Sequence, residues 1–499
     1  MTEARTSYPL AVIGAGPAGL AAAVTAARGG CEVLLVDAGT RPGGQFWRHG
    51  AEGSASARGE GHHDWRTFTR LRDELERLRA VGTITYLPGT HVWMVRPDGT
   101  GGFLLHTVPS SDAAAARTPG GDPDGDLHAC AQLAVCAGAY DRQLPIPGWD
   151  LPGVMAAGGI QAFVKTNGFA PGSRAVVGGT GPFLLPVAAG LAHAGTRVAA
   201  VCEANSPTRW LPHAHRAVRA PEKGLEGAGY AATFARHRIP YRLRTRVVRA
   251  LGEDHLEAVV TARVDARGAV VVGSERTVEC DLLGLGWGFT PLLELPISLG
   301  ATTHVDVDGS LVVDADEAGR TSVPGLWSAG ETTGVGGASL AVAEGEVLGG
   351  AVAAATPSAA RPEPARPEPA LRRRTTRLRA FATGMHQAYP VPEAWQDTVE
   401  QDTLVCRCEE VTAGQIRQAG PELGAQDVRS AKSFTRAGMG WCQGRECAFA
   451  VSCMTSADPA RPDPEALRAG NRRPMSSPVR LGALTALDTP DSSERKDPS

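Results

Sequence analysis

The sequence predicts an α/β protein in which one strand–glycine turn–helix–strand unit is nested inside another, followed by a small helical domain. Three observations predict it. Leu10 to Asp37 reads LAVIGAGPAGLAAAVTAARGGCEVLLVD, and the same order starts again at Arg174 as RAVVGGTGPFLLPVAAGLAHAGTRVAAVCEA. A lone strand and helix, in Ser322 to Gly345, SVPGLWSAGETTGVGGASLAVAEG, then complete the first unit after the second has been inserted. Five of the ten cysteines crowd beyond Leu404.

The first unit carries the spacing of a dinucleotide cradle. Ala11 to Ile13 is a short apolar run suited to a buried parallel strand, and Gly14, Gly16 and Gly19 follow it at G-x-G-x-x-G spacing. Gly14 permits the tight turn, Gly16 admits a pyrophosphate close to the backbone, and Gly19 lets the helix pack on the strand. Pro17 and Ala18 open the helix, whose free N–H groups and dipole favour an anion. Asp37, at the end of the strand Glu32–Val36, stands where a carboxylate accepts from a ribose hydroxyl. The second unit is imperfect. Gly179 and Gly181 are present and Glu203 ends its second strand, but Leu184 holds the third glycine position and Pro182 and Pro186 lie in the first helical turns. Its occupant is left open between NAD(H), which Glu203 favours over the 2′-phosphorylated form, another adenine nucleotide, and none at all.

A chain of 499 residues exceeds one core, and a net charge of -3 argues against nucleic acid or an anionic membrane as partner. The uncharged run Leu10–Ala27 is not read as a membrane span or signal, because the GAGPAG turn breaks it and Glu3 spoils a basic leader. The expectation is a cytoplasmic protein without a transmembrane segment. Cys31, Cys130, Cys136, Cys202 and Cys280, in apolar strand-like segments, are expected as buried thiols.

The expected divisions are 1–148 and 290–355 for the two parts of the first domain, 149–289 for the second, 356–370 for a Pro-rich linker, 371–470 for a helical cysteine-bearing region, and 471–499 for a tail. Within the first part, Thr67–Arg79 has helical spacing, and Thr83–Leu87, Thr90–Val95 and Phe103–Val108 read as strands. Ala51–Gly61 reads as a mobile loop, and Pro109–Asp126 as a disordered insertion. His62 and His63 in the Gly-rich loop read as solvated. Leu133–Gly138, LAVCAG, is a buried strand ending in the turn Ala137-Gly138, and Gln143–Gly148 crosses to the next domain. Arg209–Arg249 reads as helical and then strand-like, with a hairpin near Leu256–Val278. Ala360–Ala370, ARPEPARPEPA, is read as extended polyproline II, making the cysteine region a separate folding unit. Leu371–Tyr389 reads as a basic helix, either solvated or a docking patch.

Cys406 and Cys408 in VCRCEEVT, with Cys442 and Cys447 in KSFTRAGMGWCQGREC, supply four thiolates. Such a set suits a [2Fe–2S] cluster or structural zinc. Gly438, Gly440 and Gly444 would turn amides toward sulfur, and Lys432, Arg436 and Arg445 would offset negative charge, which tunes a redox centre rather than zinc. Cys453 is a bystander.

The order of elements from Tyr8 to Ala355 resembles the two-dinucleotide flavoproteins of the glutathione reductase and thioredoxin reductase families. That resemblance implies FAD in the first cradle, the isoalloxazine side near Gly44 and Gln45, adenine by Val92, and Gly330-Glu331 in place of the usual Gly-Asp pair. It also implies cofactor contacts at Ala137-Gly138. The redox cysteine pair of the disulfide reductases is missing. CRCEE and TRAGMGxCQGRxC resemble the [2Fe–2S] domain of the bacterioferritin-associated ferredoxin type. With RPGGQFWR near the start and SPVRLGAL near the end, nearly the whole chain is similar to the flavin subunits of opine oxidases, hydrogen cyanide synthase and dye-linked proline or hydroxyproline dehydrogenases. The resemblance implies a hetero-oligomer with a small ferredoxin-like subunit, besides an oxidase-like, flavin-containing catalytic subunit. A self-contained NAD(P)H-dependent reductase and a non-enzymatic iron–sulfur sensor are the competing readings. One FAD and one [2Fe–2S] per chain are expected; iron and acid-labile sulfide assays on anaerobically purified protein check this, and zinc in place of iron would sink it.

Overall fold

The computed structural model describes residues 7–487, apart from 52, 54–58, 60, 61, 112–124, 357–368, 426, 457–461 and 486. Most of the expected loop Ala51–Gly61, the expected insertion and the expected polyproline spacer lie outside the described residues. Pro369 and Ala370, assigned to that spacer, instead begin the helix Pro369–Ala388.

Strands Ile84–Pro88, Val33–Asp37, Ser7–Ile13, Asp126–Val135, Phe103–Pro109 and Thr90–Pro97 lie side by side in that order. Leu326–Ser328 joins Asp126–Val135 in parallel, so the chain returns to its first sheet after nearly two hundred intervening positions. The parallel strands are apolar runs because both faces are covered: Leu10 to Ile13 and Val33 to Val36 are buried throughout. The inserted unit forms a second parallel sheet, Tyr241–Leu243, Arg197–Glu203, Arg174–Gly179, Leu282–Gly286 and Val154–Ala156. The chain crosses between the two through an antiparallel pair, Ala139–Asp141 with Phe289–Pro291. The expected hairpin is the edge of a three-stranded sheet, Thr245–Leu251, Ala258–Arg263 and Arg276–Glu279. The five cysteines expected in the core are buried thiols.

Two helices close the first domain. Pro17–Arg28 and Ala338–Ala355 approach to backbone contact, since a Cβ on Gly345 would lie 2.1 Å from the Ala18 carbonyl oxygen and one on Gly349 2.4 Å from that of Ala22. Ala338–Ala355 is long and apolar enough to span a bilayer, but it is mostly buried here, a core helix.

The cysteine region is not a separate body. Its Trp395, Val405, Ile416 and Phe449 share one core with Trp149, Val247 and Trp287 of the inserted unit. Trp149 Nε1 donates to the Leu404 carbonyl at 2.6 Å. Arg246, buried without a carboxylate partner among its hydrogen bonds, donates to the carbonyls of Gly268 (2.9 Å), Ala394 (3.3 Å) and Trp395 (3.2 Å). Linker composition marks a break in sequence periodicity, and it carries no information about whether the flanking surfaces share a core. The basic helix docks on its own chain: Arg377 pairs with Glu222 at 2.9 Å, Arg372 with Glu317 at 3.1 Å, and Arg379 with Glu344. The tail likewise returns, packing Val479, Ala483, Leu484 and Leu487 on Trp93 and Val108.

Gly345→Ala drives a methyl into the Ala18 carbonyl. It is expected to destabilise the fold by about 1–3 kcal/mol, as overpacking does, and to loosen FAD retention; thermal unfolding with and without added FAD checks both.

Candidate functional site: a dinucleotide cradle and a four-cysteine centre

The first glycine turn is shaped by contacts that forbid side chains. Gly14 has φ +97°, and a Cβ there would lie 2.4 Å from the Cys136 carbonyl oxygen; one on Gly19 would lie 1.8 Å from that of Gly14. Gly44, at φ +59°, backs onto Gly16, where its Cβ would meet Gly16 Cα at 2.8 Å. Gly16 caps the helix without a side-chain bond, Pro17 starts it, and no acidic residue lies in its first turn. The amides and the dipole at that end are therefore uncompensated. Gly330, φ +82°, closes over Ala18, where its Cβ would come within 2.9 Å of the alanine methyl. Gly14, Gly16, Pro17, Ala18, Gly19, Gly44 and Gly330 thus assemble around one helix end.

Asp37 completes the cradle. Its Oδ1 accepts from Gly39 N at 3.0 Å, while its Oδ2 is buried with no hydrogen-bond partner. Burial pushes the carboxyl up to about 6 against the bonds from Gly39 and Ala15. An unpartnered acceptor beside an uncapped helix is what a dinucleotide ribose and pyrophosphate would satisfy, so these residues fit FAD.

Other residues expected at the cofactor also bond within the chain. The Val92 carbonyl accepts from Ser476 Oγ at 2.8 Å, which brings the tail against the strand expected beside adenine. Gln45 accepts from Arg48 Nε at 3.0 Å. Gly138 has φ +80°, and its carbonyl accepts from Leu292 N at 3.0 Å, which ties the turn after Ala137 to the crossing strands. The Glu331 carboxylate accepts from Gly336 N (3.2 Å) and Gly337 N (3.0 Å), filling the amides that lead into Ala338–Ala355, and burial pushes it up to about 7. That helix entry is therefore bonded internally through the Glu331 carboxylate.

The second turn corrects the sequence reading of Glu203. Glu203 is 0 % exposed. Its Oε1 accepts from Thr180 Oγ1 (3.2 Å) and Asn205 N (2.8 Å), and its Oε2 from Gly181 N (2.8 Å). Being one methylene longer than Asp37, it reaches back into the glycine turn and takes an amide that a pyrophosphate would use. Asn205 Nδ2 donates to Thr180 Oγ1 at 2.7 Å and to the Pro390 carbonyl at 2.9 Å, and Tyr389 lies over Gly181. Gly179, φ +149°, instead packs on Gly286. Leu184, in the third glycine position, is buried against that same Gly286, so the neighbouring strand rather than the helix supplies the space. These residues do not fit NAD(H).

The cysteines come together from two loops. Cys406 ends the strand Leu404–Cys406, and the loop Gly438–Gly444 folds back on it: Gly438 N donates to Cys406 Sγ at 3.4 Å. A Cβ on Gly440 would lie 2.3 Å from Cys408 Cβ, so the loop has no room for one. The thiols stand in two pairs. A hydrogen bond from Cys447 holds Cys406 down at about 6, and Cys408 touches Cys442. Among the described residues no three His, Cys, Asp or Glu side chains converge on one point, as a mononuclear ion requires. Two thiol pairs fit the two irons of a [2Fe–2S] rhomb better than one tetrahedral zinc. Cys406 and Cys447 are buried, Cys442 is half-buried and Cys408 is exposed. Two expected charge donors are paired elsewhere, Arg436 with Glu409 at 2.8 Å and Arg445 with Glu294 at 2.9 Å. Arg473, beside Gly444, escaped the sequence reading because it lies outside the motif.

With this geometry in place, likeness to known proteins decides the family. An opine oxidase subunit from Agrobacterium tumefaciens is 32 % identical over 97 % of this chain and 93 % of its own length. The chain belongs to that family. Hydrogen cyanide synthase subunit HcnB of Pseudomonas aeruginosa is 31 % identical over 87 % of this chain and 90 % of its own. Residues 8–346 match the pyridine nucleotide-disulphide oxidoreductase family, and residues 404–452 the BFD-like [2Fe–2S] binding domain. All four paired cysteines fall inside the latter, and Cys453 falls just beyond it. The crystal structure of L-proline dehydrogenase from P. horikoshii shares the fold, with a TM-score of 0.63 at 19 % identity, covering 96 % of this chain and 79 % of that one. This member is an FAD flavoprotein oxidoreductase with a [2Fe–2S] binding domain.

The ligand-free Asp37 carboxyl changes charge near pH 6, and its charged form is the stronger acceptor. FAD is therefore expected to bind tighter above about pH 6 and to be released as pH falls through it. Asp37→Asn should abolish that pH dependence and weaken FAD by about tenfold or more, since bonds to charged groups are worth about 1.5–3 kcal/mol; flavin fluorescence on release reads both.

Proposed function

We propose that the chain is the electron-transferring subunit of a complex that dehydrogenates an amino acid or its N-substituted derivative, with proline, hydroxyproline, glycine, sarcosine and opines as the candidate donors. The observation that carries the reading is the contrast between the two glycine turns. The first has an unpartnered Asp37 oxygen and an uncapped helix, while the second is filled by Glu203, leaving no seat for a nicotinamide to reduce the flavin. Reducing equivalents then enter from a partner, which we take to be an oxidase-like flavin subunit. A small ferredoxin-like chain is a further member of this cytoplasmic hetero-oligomer. Oxidation of a CH–NH bond releases two electrons and two protons. FAD supplies the conversion between that two-electron step and one-electron steps, and a [2Fe–2S] cluster supplies two successive one-electron transfers to a one-electron acceptor, the protons passing to solvent.

This chain's residues hold and orient. Gly14, Gly16 and Gly19 admit the dinucleotide, Asp37 accepts from it, and Cys406, Cys408, Cys442 and Cys447 hold the cluster, with Cys408 toward solvent where an acceptor can approach. The self-contained reductase reading requires an open second turn, and a mere sensor has no use for the unpartnered Asp37.

The purified chain is expected to show little dye-linked dehydrogenase activity toward that panel, and to gain it on mixing with the oxidase-like partner through an obligate contact of about 2,000 Å² or more. Robust turnover of any donor without a partner would defeat the reading. Rapid, saturable bleaching of the bound flavin by micromolar NADPH in stopped flow would favour the self-contained reductase.

A further inference from the structure

Glu294 is the buried charge that neither glycine turn nor thiol chemistry explains. It begins the short helix Glu294–Ser298, in the second part of the flavin domain, and is 4 % exposed. One oxygen, Oε1, faces two cations, Arg445 Nε at 2.9 Å and Arg473 Nη1 at 3.2 Å. Arg445 sits in the loop between Cys442 and Cys447, and Arg473 follows the helix Pro464–Asn471. Three distant stretches of chain meet on one carboxylate.

Each member has further anchors. Arg445 also donates to the Ser476 carbonyl, and Ser476 Oγ donates to the carbonyls of Val92 (2.8 Å) and Trp93 (3.1 Å), strand residues of the flavin domain. Tyr140, two residues past the Gly138 turn, lies under the Arg445 guanidinium, 5.6 Å from ring centroid to charge. Arg473 Nη2 donates to the Gly470 carbonyl at 3.0 Å and borders Gly444. On the far side, Arg142 pairs with Asp308 at 3.1 Å and stacks on Phe449, 4.2 Å from its ring centre.

A buried carboxylate with two guanidiniums is poor at stabilising a fold, because desolvation offsets the attraction. Such a triad fixes register and leaves one excess positive charge beside four thiols. We propose that Glu294, Arg445 and Arg473 are positioning residues that lock the cysteine loop on the flavin half at a fixed distance, so that electrons cross a static gap rather than ride a swinging domain. The lock also sets the cluster's potential through its charge. This inference deepens the relay reading above and rests on it.

The test uses the full chain loaded with FAD and cluster, with flavin-to-cluster transfer followed after flash reduction of the flavin. The unaltered chain is expected to transfer at a rate that does not change in glycerol. Glu294→Gln should keep its iron, sulfide and flavin, slow transfer about tenfold or more, as loss of an outer-shell partner does, make the rate viscosity-dependent, and raise the cluster's midpoint potential by removing a negative charge. Glu294→Asp should restore the rate. If Glu294→Gln fails to load, Arg473→Lys keeps the charge while breaking the geometry, and should slow transfer with the potential unchanged. Absence of transfer in the unaltered chain would overturn the relay reading and this inference together. Normal transfer in that chain, with an unchanged rate and potential in loaded Glu294→Gln or an unchanged rate in Arg473→Lys, would overturn this inference alone. So would a glycerol-dependent rate in the unaltered chain.

Discussion

Everything at the flavin end depends on two helices being close enough to touch through their backbones. Pro17–Arg28 supplies the uncapped amides of the cradle, and Ala338–Ala355, more than three hundred residues later, presses Gly345 and Gly349 against the carbonyls of Ala18 and Ala22. No side chain fits between them. That contact, with Leu326–Ser328 added to the first sheet, makes two sequence-distant pieces one domain and brings Gly330 over Ala18. The inserted unit is therefore carried on a base closed by packing, not by a connecting segment.

The two glycine turns show how little separates a ligand seat from a filled scaffold. Asp37 and Glu203 end equivalent strands, and both carboxyls are raised by burial. Asp37 accepts from Gly39 through one oxygen and keeps the other unpartnered. Glu203 reaches Thr180, Gly181 and Asn205 together, and Asn205 passes the network on to Pro390. Buried polar groups find partners from whatever is near, and in the second turn the chain itself is near enough.

The cysteine region gains its place by sharing a core rather than by being tethered. Trp149, Trp287 and Trp395 bury large apolar surface across the boundary, and Arg246 ties the carbonyls of Ala394 and Trp395 to the inserted unit. The sulfurs are thereby presented as two pairs on a rigid support, with Cys408 at the solvent edge and the opposite side facing the flavin domain through Arg445 and Tyr140.

The sequence by itself determined the elements whose cause is local. Apolar runs bounded by glycine became the parallel strands, G-x-G-x-x-G became an uncapped helix entry, and the late strand and helix announced the nesting. The four cysteines were legible because a metal site needs a fixed number of soft donors. Only the tertiary structure decided where local signals compete with distant partners. Glu203 reads as a ribose acceptor until its three internal donors are placed around it. Leu371–Tyr389 reads as a basic helix with a free or docking face until Glu222, Glu317 and Glu344 are brought opposite its arginines. Glu294, Arg445 and Arg473 are separated by up to 179 positions and follow no motif. A charge's partner is fixed by folding of the whole chain, because electrostatic and hydrogen-bond satisfaction depend on proximity in space, which residue spacing does not encode.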